Sequence, residues 1–379
     1  MITVSIYGLD PSLNEKTDDL TYSWDYMTFT TQLPGGFGSC NIKIGKELYR
    51  SYFYLENKLM HGIKVRDSGE SLFEGRIVGV TIEPGQLTID CEGWWGHGKD
   101  VFADLLYPSS TPETAESITK DMIALATNWD STEIYVNPDS VALPNVNGAD
   151  LDYDVSWHLT NVIEDVCKFG TNESTPRPIY GAVWEDRKVH LKPRKLATVA
   201  NIDWHISASD FVGGQQGFSV ARDGNNFGNS INVIYSNGIG QRTTYGTNAE
   251  NATSQAKYGI IEKRISISGA TEEMALALRD VAIEEYAVPR QSVGAFIDNF
   301  VWKGNAQVPV RFVRAGDIVR VHLDPRSTSS VSFDQTRVMF VVATNYNAST
   351  GKMRLTLETS PSTFDLLLAL AGLGGSRLT

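Results

Sequence analysis

From the N-terminus to about residue 98, apolar residues recur at every second position, the period of a half-buried strand. Ile2, Val4 and Ile6 alternate. "YMTFTT" predicts a second strand, "LPGGFG" breaks it, and "CNIKI" alternates again through Cys40, Ile42 and Ile44. The turns at Asp67-Ser68-Gly69 and Pro84-Gly85 then cut the next stretch into short strands. Val78, Val80 and Ile82 are expected on one face, answered across the second turn by Leu87, Ile89 and Cys91.

The period changes between residue 99 and about residue 200. "SSTPETAESITKDMIALATN" predicts a helix capped by Thr111, with Pro112 in the first turn and Glu113 and Glu116 at the positive end of the dipole. "DVSWHLTNVIEDVCKFG" predicts a second helix, ending at Gly170, with an apolar stripe of Trp157, Val162, Val166 and Phe169. "PIYGAVWEDRKVHLKP" reads as a hairpin turning near Glu185-Asp186. These elements make a small α/β domain.

From residue 201 to about residue 360 the pattern returns to β. "NSINVIYSNG" places Ile231, Val233 and Tyr235 on one face. Val319, Val321 and Leu323 alternate with Ile318, Arg320 and His322, and Met353, Leu355 and Leu357 with Arg354, Thr356 and Glu358. "GRIVGVTIEPGQLTIDCE" and "RVMFVVATNYNASTGKMRLTLE" share one layout of basic residue, apolar strand, Gly-containing turn and alternating strand. Hairpins resemble one another easily, but duplication is the economical reading. The fold class expected is mainly β with α/β insertions: two β domains of one design, 1–98 and 201–360, around an α/β insert, 99–200, with a C-terminal tail, 361–379.

Inside the second β region, "YGIIEKRISISGATEEMALALRDVAIEEYAVPR" carries a strand period and then a helix period. Thr271 caps the helix 271–287, Glu272 and Glu273 occupy its first turn, and Pro289 ends it. Met274, Ala275, Leu278, Val281, Ala282 and Tyr286 form one broad apolar arc, the ordinary core face. Leu276 and Ile283 lie outside that arc. They are either two incidental apolar residues or a seam for another subunit. After Pro361, Ser362 and Asp365 can open a short helix whose Leu366, Leu367, Leu368 and Leu370 would need burial on more than one side.

Composition narrows the function. The chain of 379 residues is too long for one ordinary core, and 41% hydrophobic with 21% charged residues is an ordinary globular balance. A net charge of -12 argues against tight nucleic-acid binding, which needs clustered Lys and Arg, but does not exclude a protein that DNA must pass without sticking. Cys40, Cys91 and Cys167 form no CxxC pair and suggest folding in a reducing compartment. No signal peptide is expected, and "FDLLLALAGL" is short of the ~20 residues that span a bilayer.

The order "NSINVIYS", a polar loop, "SQAKYGIIEKRISISGATEEMALALRDVAIEEYAVPR" and "VPVRFVRAGDIVRV" resembles the phage tail-tip and baseplate hub proteins. The matching positions are Asn232, a strand through Tyr258 and Gly259, the helix from Thr271, and the Gly316-Asp317 turn; "LFEGRI" falls where that family's first barrel has it. The resemblance implies a homotrimer in which each chain supplies two tail-tube-like β-barrel domains to a pseudo-sixfold ring. It implies that the helix 271–287 packs its main arc on its own barrel and its other side against a neighbour. It implies a virion location at the tail tip or baseplate after folding in the host cytoplasm, and a lumen through which DNA passes without specific binding. The partners it implies are the tail tube or distal tail protein, the tape measure protein, and a separate spike or fibre protein. No catalytic residue, cofactor or metal is implied.

No motif diagnostic of a reaction stands out in the sequence. The histidines His61, His97, His158, His190, His205 and His322 show no zinc spacing, and "GFSVA" around Ser219 is not a nucleophile elbow. Asp150, Asp152 and Asp154 alternate as calcium ligands can, without the glycine and distant glutamate of the helix-loop-helix motif. Trp94 and Trp95 can stack on sugars or pack between domains. A cell-wall hydrolase built on paired carboxylates and a carbohydrate-binding module therefore remain alternatives to a structural protein.

Overall fold

The alternating stretches are realised as strands, and which of them share a sheet decides where the chain can meet a neighbour. The computed structural model describes residues 1–8, 16–21, 24–45, 58–107, 114–126, 134–136, 151–171, 177–195, 199–207, 210–212, 218–223, 227–236, 242–244, 248–268, 270–287, 289–322 and 336–358.

A first array contains β1 (Ile2–Tyr7), β2 (Lys16–Asp19), β3 (Trp24–Gln32), β4 (Gly35–Gly45), β5 (Gly62–Asp67), β6 (Glu70–Glu83) and β7 (Gln86–Gly93). Its lateral order is β2-β1-β5-β6-β7-β4-β3, every neighbour antiparallel. The insert follows with β8 (Leu105–Tyr107), β9 (Ile134–Val136), β10 (Leu151–Tyr153), β11 (Ile179–Val183) and β12 (Val189–Pro193). Next come β13 (Trp204–Ser207), β14 (Phe218–Asp223), β15 (Ser230–Ser236), β16 (Arg242–Thr244), β17 (Ala249–Glu250) and β18 (Glu262–Ser268). The last strands are β19 (Arg290–Asp298), β20 (Phe300–Lys303), β21 (Ala306–Pro309), β22 (Ile318–His322), β23 (Thr336–Asn347) and β24 (Lys352–Glu358). A second array runs β14-β19-β24-β23-β22-β13-β20-β21, antiparallel except for β13 with β22.

One ladder is repeated in the two arrays, although the bulges of β3–β4 and β5–β6 have no counterpart in β14–β19 and β22–β23, and β13 runs parallel to β22 where β1 runs antiparallel to β5. In the first, Arg76 faces Glu92, Ile77 faces Cys91, a bulge ejects Val78, and Gly79 to Glu83 face Asp90 to Gln86. In the second, Phe340 faces Glu358, Val341 faces Leu357, a bulge ejects Val342, and Ala343 to Asn347 face Thr356 to Lys352. The expected alternation through Val78 is therefore wrong by one residue. Ile77 takes the inward position at 0% exposure, and Val78 is thrown outward at 39%. Strands β3 and β23 pair, Gln32 opposite Ala343 through Thr28 opposite Asn347, so the arrays share an edge. They also share a core, from Val4, Ile6 and Phe73 of the first to Val319, Met339 and Leu355 of the second.

A second core holds the α/β layer. Helix α1 (Ala115–Leu125) starts at Thr114 and not at Thr111. The Thr114 side chain accepts from Ser117 N and Ser117 answers to the Thr114 N–H, a capping box that a cap three residues earlier would forgo. Helix α2 (Leu159–Cys167) is shorter than its stripe suggested, because the Asp154 carboxylate accepts from Ser156 N and turns the chain first. The Tyr258 segment is also different: it closes the short helix α3 (Ala252–Tyr258), which Gly259 ends at φ 77°, and the strand begins only at Glu262.

Helix α4 (Glu272–Tyr286) has the expected cap, Thr271 accepting from Met274 N. Its buried arc also matches: Met274, Ala275, Leu278, Val281, Ala282 and Tyr286 are all at 3% exposure or less. The partner differs. Most of that arc packs over the small sheet, in one core with Ile231 and Val233 of β15 and Ile265 of β18, and not on the second array. The physical reason is the parallel pairing of β15 with β18, which makes a small sheet of its own whose apolar face needs a helix cover.

Candidate assembly surfaces and the junction cavity

The two arrays and the insert are tied at one place by charged side chains. Asp67, at the end of β5, is 2% exposed. It accepts from the Met1 amino group at 2.8 Å and from Arg311 Nε at 2.7 Å. Burial alone would raise its carboxyl, but these two cations outweigh burial and hold it below the ordinary value. Arg314, just before the Gly316-Asp317 turn, binds Glu185 of the insert and the backbone oxygen of Ser71 in β6, with its guanidinium 5.6 Å from the centre of the Phe37 ring. Asp317 explains the Gly-Asp spacing: Gly316 adopts φ 98°, and the Asp317 carboxylate accepts from Arg314 N and Trp204 Nε1, each at 2.8 Å.

Beside this turn lies a cavity of about 210 Å³, lined by residues of all three parts, among them Leu33, Tyr180, His190, Lys192, Arg314 and Phe340. Burial, helped by Lys192 and Lys188, pushes the His190 imidazole down to about 3, so it is neutral at physiological pH. The lining offers aromatic faces, the cations Lys192, Lys195 and Arg314, and the carboxylates Glu185 and Asp317. Among the described residues no group of three or more His, Cys, Asp or Glu could hold a metal ion.

Trp94 and Trp95 sit in a 3-10 turn, Trp94–Lys99, at 3% and 5% exposure within the second core. The Arg187 guanidinium lies 4.1 Å from the Trp94 ring centre. Rings so covered offer no face for a sugar, so Trp94 and Trp95 pack within the core, the second of the two roles expected for them. Asp154 is exposed and used by the turn at Ser156; Asp150 and the side chain of Asp152 lie outside the described residues. Leu366, Leu367 and Leu370, with the whole tail 361–379, also lie outside them.

Leu276 and Ile283 are both half-buried within the single chain, and Ile283 leans on the second core. Sequence spacing missed three features. Glu164 on α2 is pushed up to about 7 by burial, against the pull of Lys99 and a hydrogen bond from Trp95. His205 and His322 stack with ring centres 5.6 Å apart, because β13 and β22 run side by side although 117 residues separate the two rings in sequence. A row of exposed apolar groups, Phe296, Phe300 and Trp302, lies on β19 and β20. The last was legible as an alternation, but only the pairing shows which face is left open.

This arrangement of two strand arrays and a side layer is the fold of phage tail proteins. No protein-family description matches the chain, and no curated protein matches it. Solved structures do. A prophage tail protein, gp18, from Listeria monocytogenes EGD-e superposes with TM-score 0.59 at 13% identity, covering 99% of each chain. The 43 kDa tail protein of prophage MuSo2 from Shewanella oneidensis gives 0.60 at 10%, covering 96% of this chain and 99% of that one. The E. coli c3393 protein, a type VI secretion component described as structurally similar to the T4 bacteriophage tail proteins gp27 and gp5, gives 0.51 at 10%, covering 95% and 77%.

Proposed function

We propose that this chain is a structural hub of a phage tail tip or baseplate, a ring protein that continues the tail tube, joins it to host-contacting parts and leaves a path for DNA. The observation that carries the reading is the ladder repeated between the two arrays, β6–β7 in the first and β23–β24 in the second, each with a bulge at the same place. Two like units per chain let three chains present six similar walls to a six-membered tube. The likeness to tail proteins supports the same reading, as does the net charge of -12, since a wall bearing carboxylates lets phosphates slide. The arrays are the two barrel domains of this proposal, with the insert and the β15–β18 sheet beside them. The implied partners are further copies of the chain, the tail tube or distal tail protein, the tape measure protein and a separate spike or fibre. The role is structural, without catalysis.

The test is the mass of the full chain in solution by sedimentation, together with its behaviour on peptidoglycan. A three-chain particle without hydrolysis is expected. A monomer at tens of micromolar, or release of cell-wall fragments, overturns the proposal.

A further inference from the structure

We infer that the open edge of β6 pairs with the open edge of β14 from a second copy of this chain, antiparallel, with Val220 opposite Ile82 and Ala221 opposite Thr81. The inference deepens the hub reading and rests on it for the number of copies. The pairing itself follows from the repeated strands.

Lateral rows across the sheets fix the correspondence. In the first array one row reads Phe29, Cys40, Cys91, Ile77. In the second the matching row reads Val220, Val293, Leu357, Val341. So β14 stands where β3 stands, and β23 where β6 stands. Within the chain β3 and β23 are joined, with Phe29 opposite Tyr346. Their counterparts are not: among the described residues β14 pairs only with β19, and residues 79–83 of β6 pair only with β7. Each therefore presents a row of backbone N–H and C=O groups without a partner among the described residues, a template for strand addition. Transferring the register of the joined pair, Tyr346 to Ile82 and Phe29 to Val220, gives the pairing stated.

Two details of the joined edge show what the open edge lacks. The ejected Val342 is half-buried with Leu33 packed nearby, and its carbonyl accepts from Leu33 N at 3.0 Å. The ejected Val78 has the same place in β6 and is 39% exposed. Thr344 of β23 is 3% exposed and bonds the Thr31 hydroxyl at 2.7 Å. Its counterpart, Val80, is only half-buried. The contact is head to tail, β6 of one copy to β14 of the next, so it generates a ring if the rotation closes.

Cysteine pairs test the register in the full chain, whose own Cys40, Cys91 and Cys167 are buried. The Leu33–Val342 bond makes alternate pairs hydrogen-bonded, which leaves Asn345/Thr30, and hence Thr81/Ala221, as a close non-hydrogen-bonded pair suited to a disulfide. Under mild oxidation Thr81→Cys with Ala221→Cys should form covalent multimers up to the sedimenting size. The slipped pair, Thr81→Cys with Val220→Cys, points one side chain to the other face and should cross-link at least ~10-fold more slowly. If the protein sediments as a ring but the matched pair cross-links no faster than the slipped pair, or Thr81→Cys alone cross-links as well, the pairing is overturned and the hub reading stands. If the wild type is a monomer, both fall.

Discussion

Replacing Glu164 with glutamine should stabilise the protein above neutral pH and leave it nearly unchanged in mild acid. The side chain stands on α2 beside the Trp94–Lys99 turn, accepting a hydrogen bond from Trp95, and burial lifts its carboxyl from 4.5 to about 7. The folded state thus holds a proton that the unfolded chain releases near 4.5. Between those values the folded state binds more protons, so stability falls as pH rises through the window and stays low above about 7. At ~1.4 kcal/mol for each tenfold change in proton activity, the full penalty is about 3 kcal/mol, an upper figure because the group keeps some contact with water. Glutamine keeps an acceptor for Trp95 and removes the charge. Urea unfolding of both proteins at pH 5 and pH 8 isolates this group, since all others titrate alike. A gain of about 1–3 kcal/mol at pH 8 with little difference at pH 5 is expected. A variant less stable than wild type at pH 8, or a difference that does not change with pH, would refute the reasoning.

Three further outcomes follow from the packing. A Cβ on Gly93 would lie 1.7 Å from the Phe37 oxygen, so Gly93→Ala should cost roughly 1–3 kcal/mol or prevent folding, read by circular dichroism and thermal midpoint. Asp67→Ala leaves Arg311, still 24% exposed, without its partner and should cost ~1.5–3 kcal/mol; because the folded carboxyl lies below its ordinary 3.8, the contribution it removes is present above that value and fades as pH falls below it, so wild type and variant should converge in strong acid. Leu278→Ser should lower the thermal midpoint sharply, whereas Leu276→Ser should leave it nearly unchanged and reduce the sedimenting mass; Ile283→Ser, which also touches the second core, should do some of both.

Much of the β architecture was readable because one face of each strand is buried, and burial writes a period of two into the sequence. The helix at Glu272–Tyr286 was readable for the same reason with the longer period, down to its cap and every member of its arc. Its partner was not, because an apolar stripe states that burial is needed without naming the surface that supplies it. Val78 misled for a related reason: a bulge shifts the period by one, and nothing in "GRIVGVTIE" other than a permissive glycine marks it. Asp67–Arg311, His205–His322 and the Glu164 environment were invisible, since each joins groups whose proximity only the folded chain creates.

The weave of the two cores constrains how this chain is made. The first array leaves the ribosome early, yet the β3 edge waits for β23, the Thr31 hydroxyl for Thr344 some 313 positions later, and Asp67 for Arg311 some 244 later. The second core is likewise incomplete until α4 emerges. Closing such long loops is slow, and the apolar faces stay uncovered meanwhile. A nascent chain halted at residue 200 should therefore bind holdase chaperones and be cut readily by proteases, and acquire resistance only when the last hairpin has been synthesised.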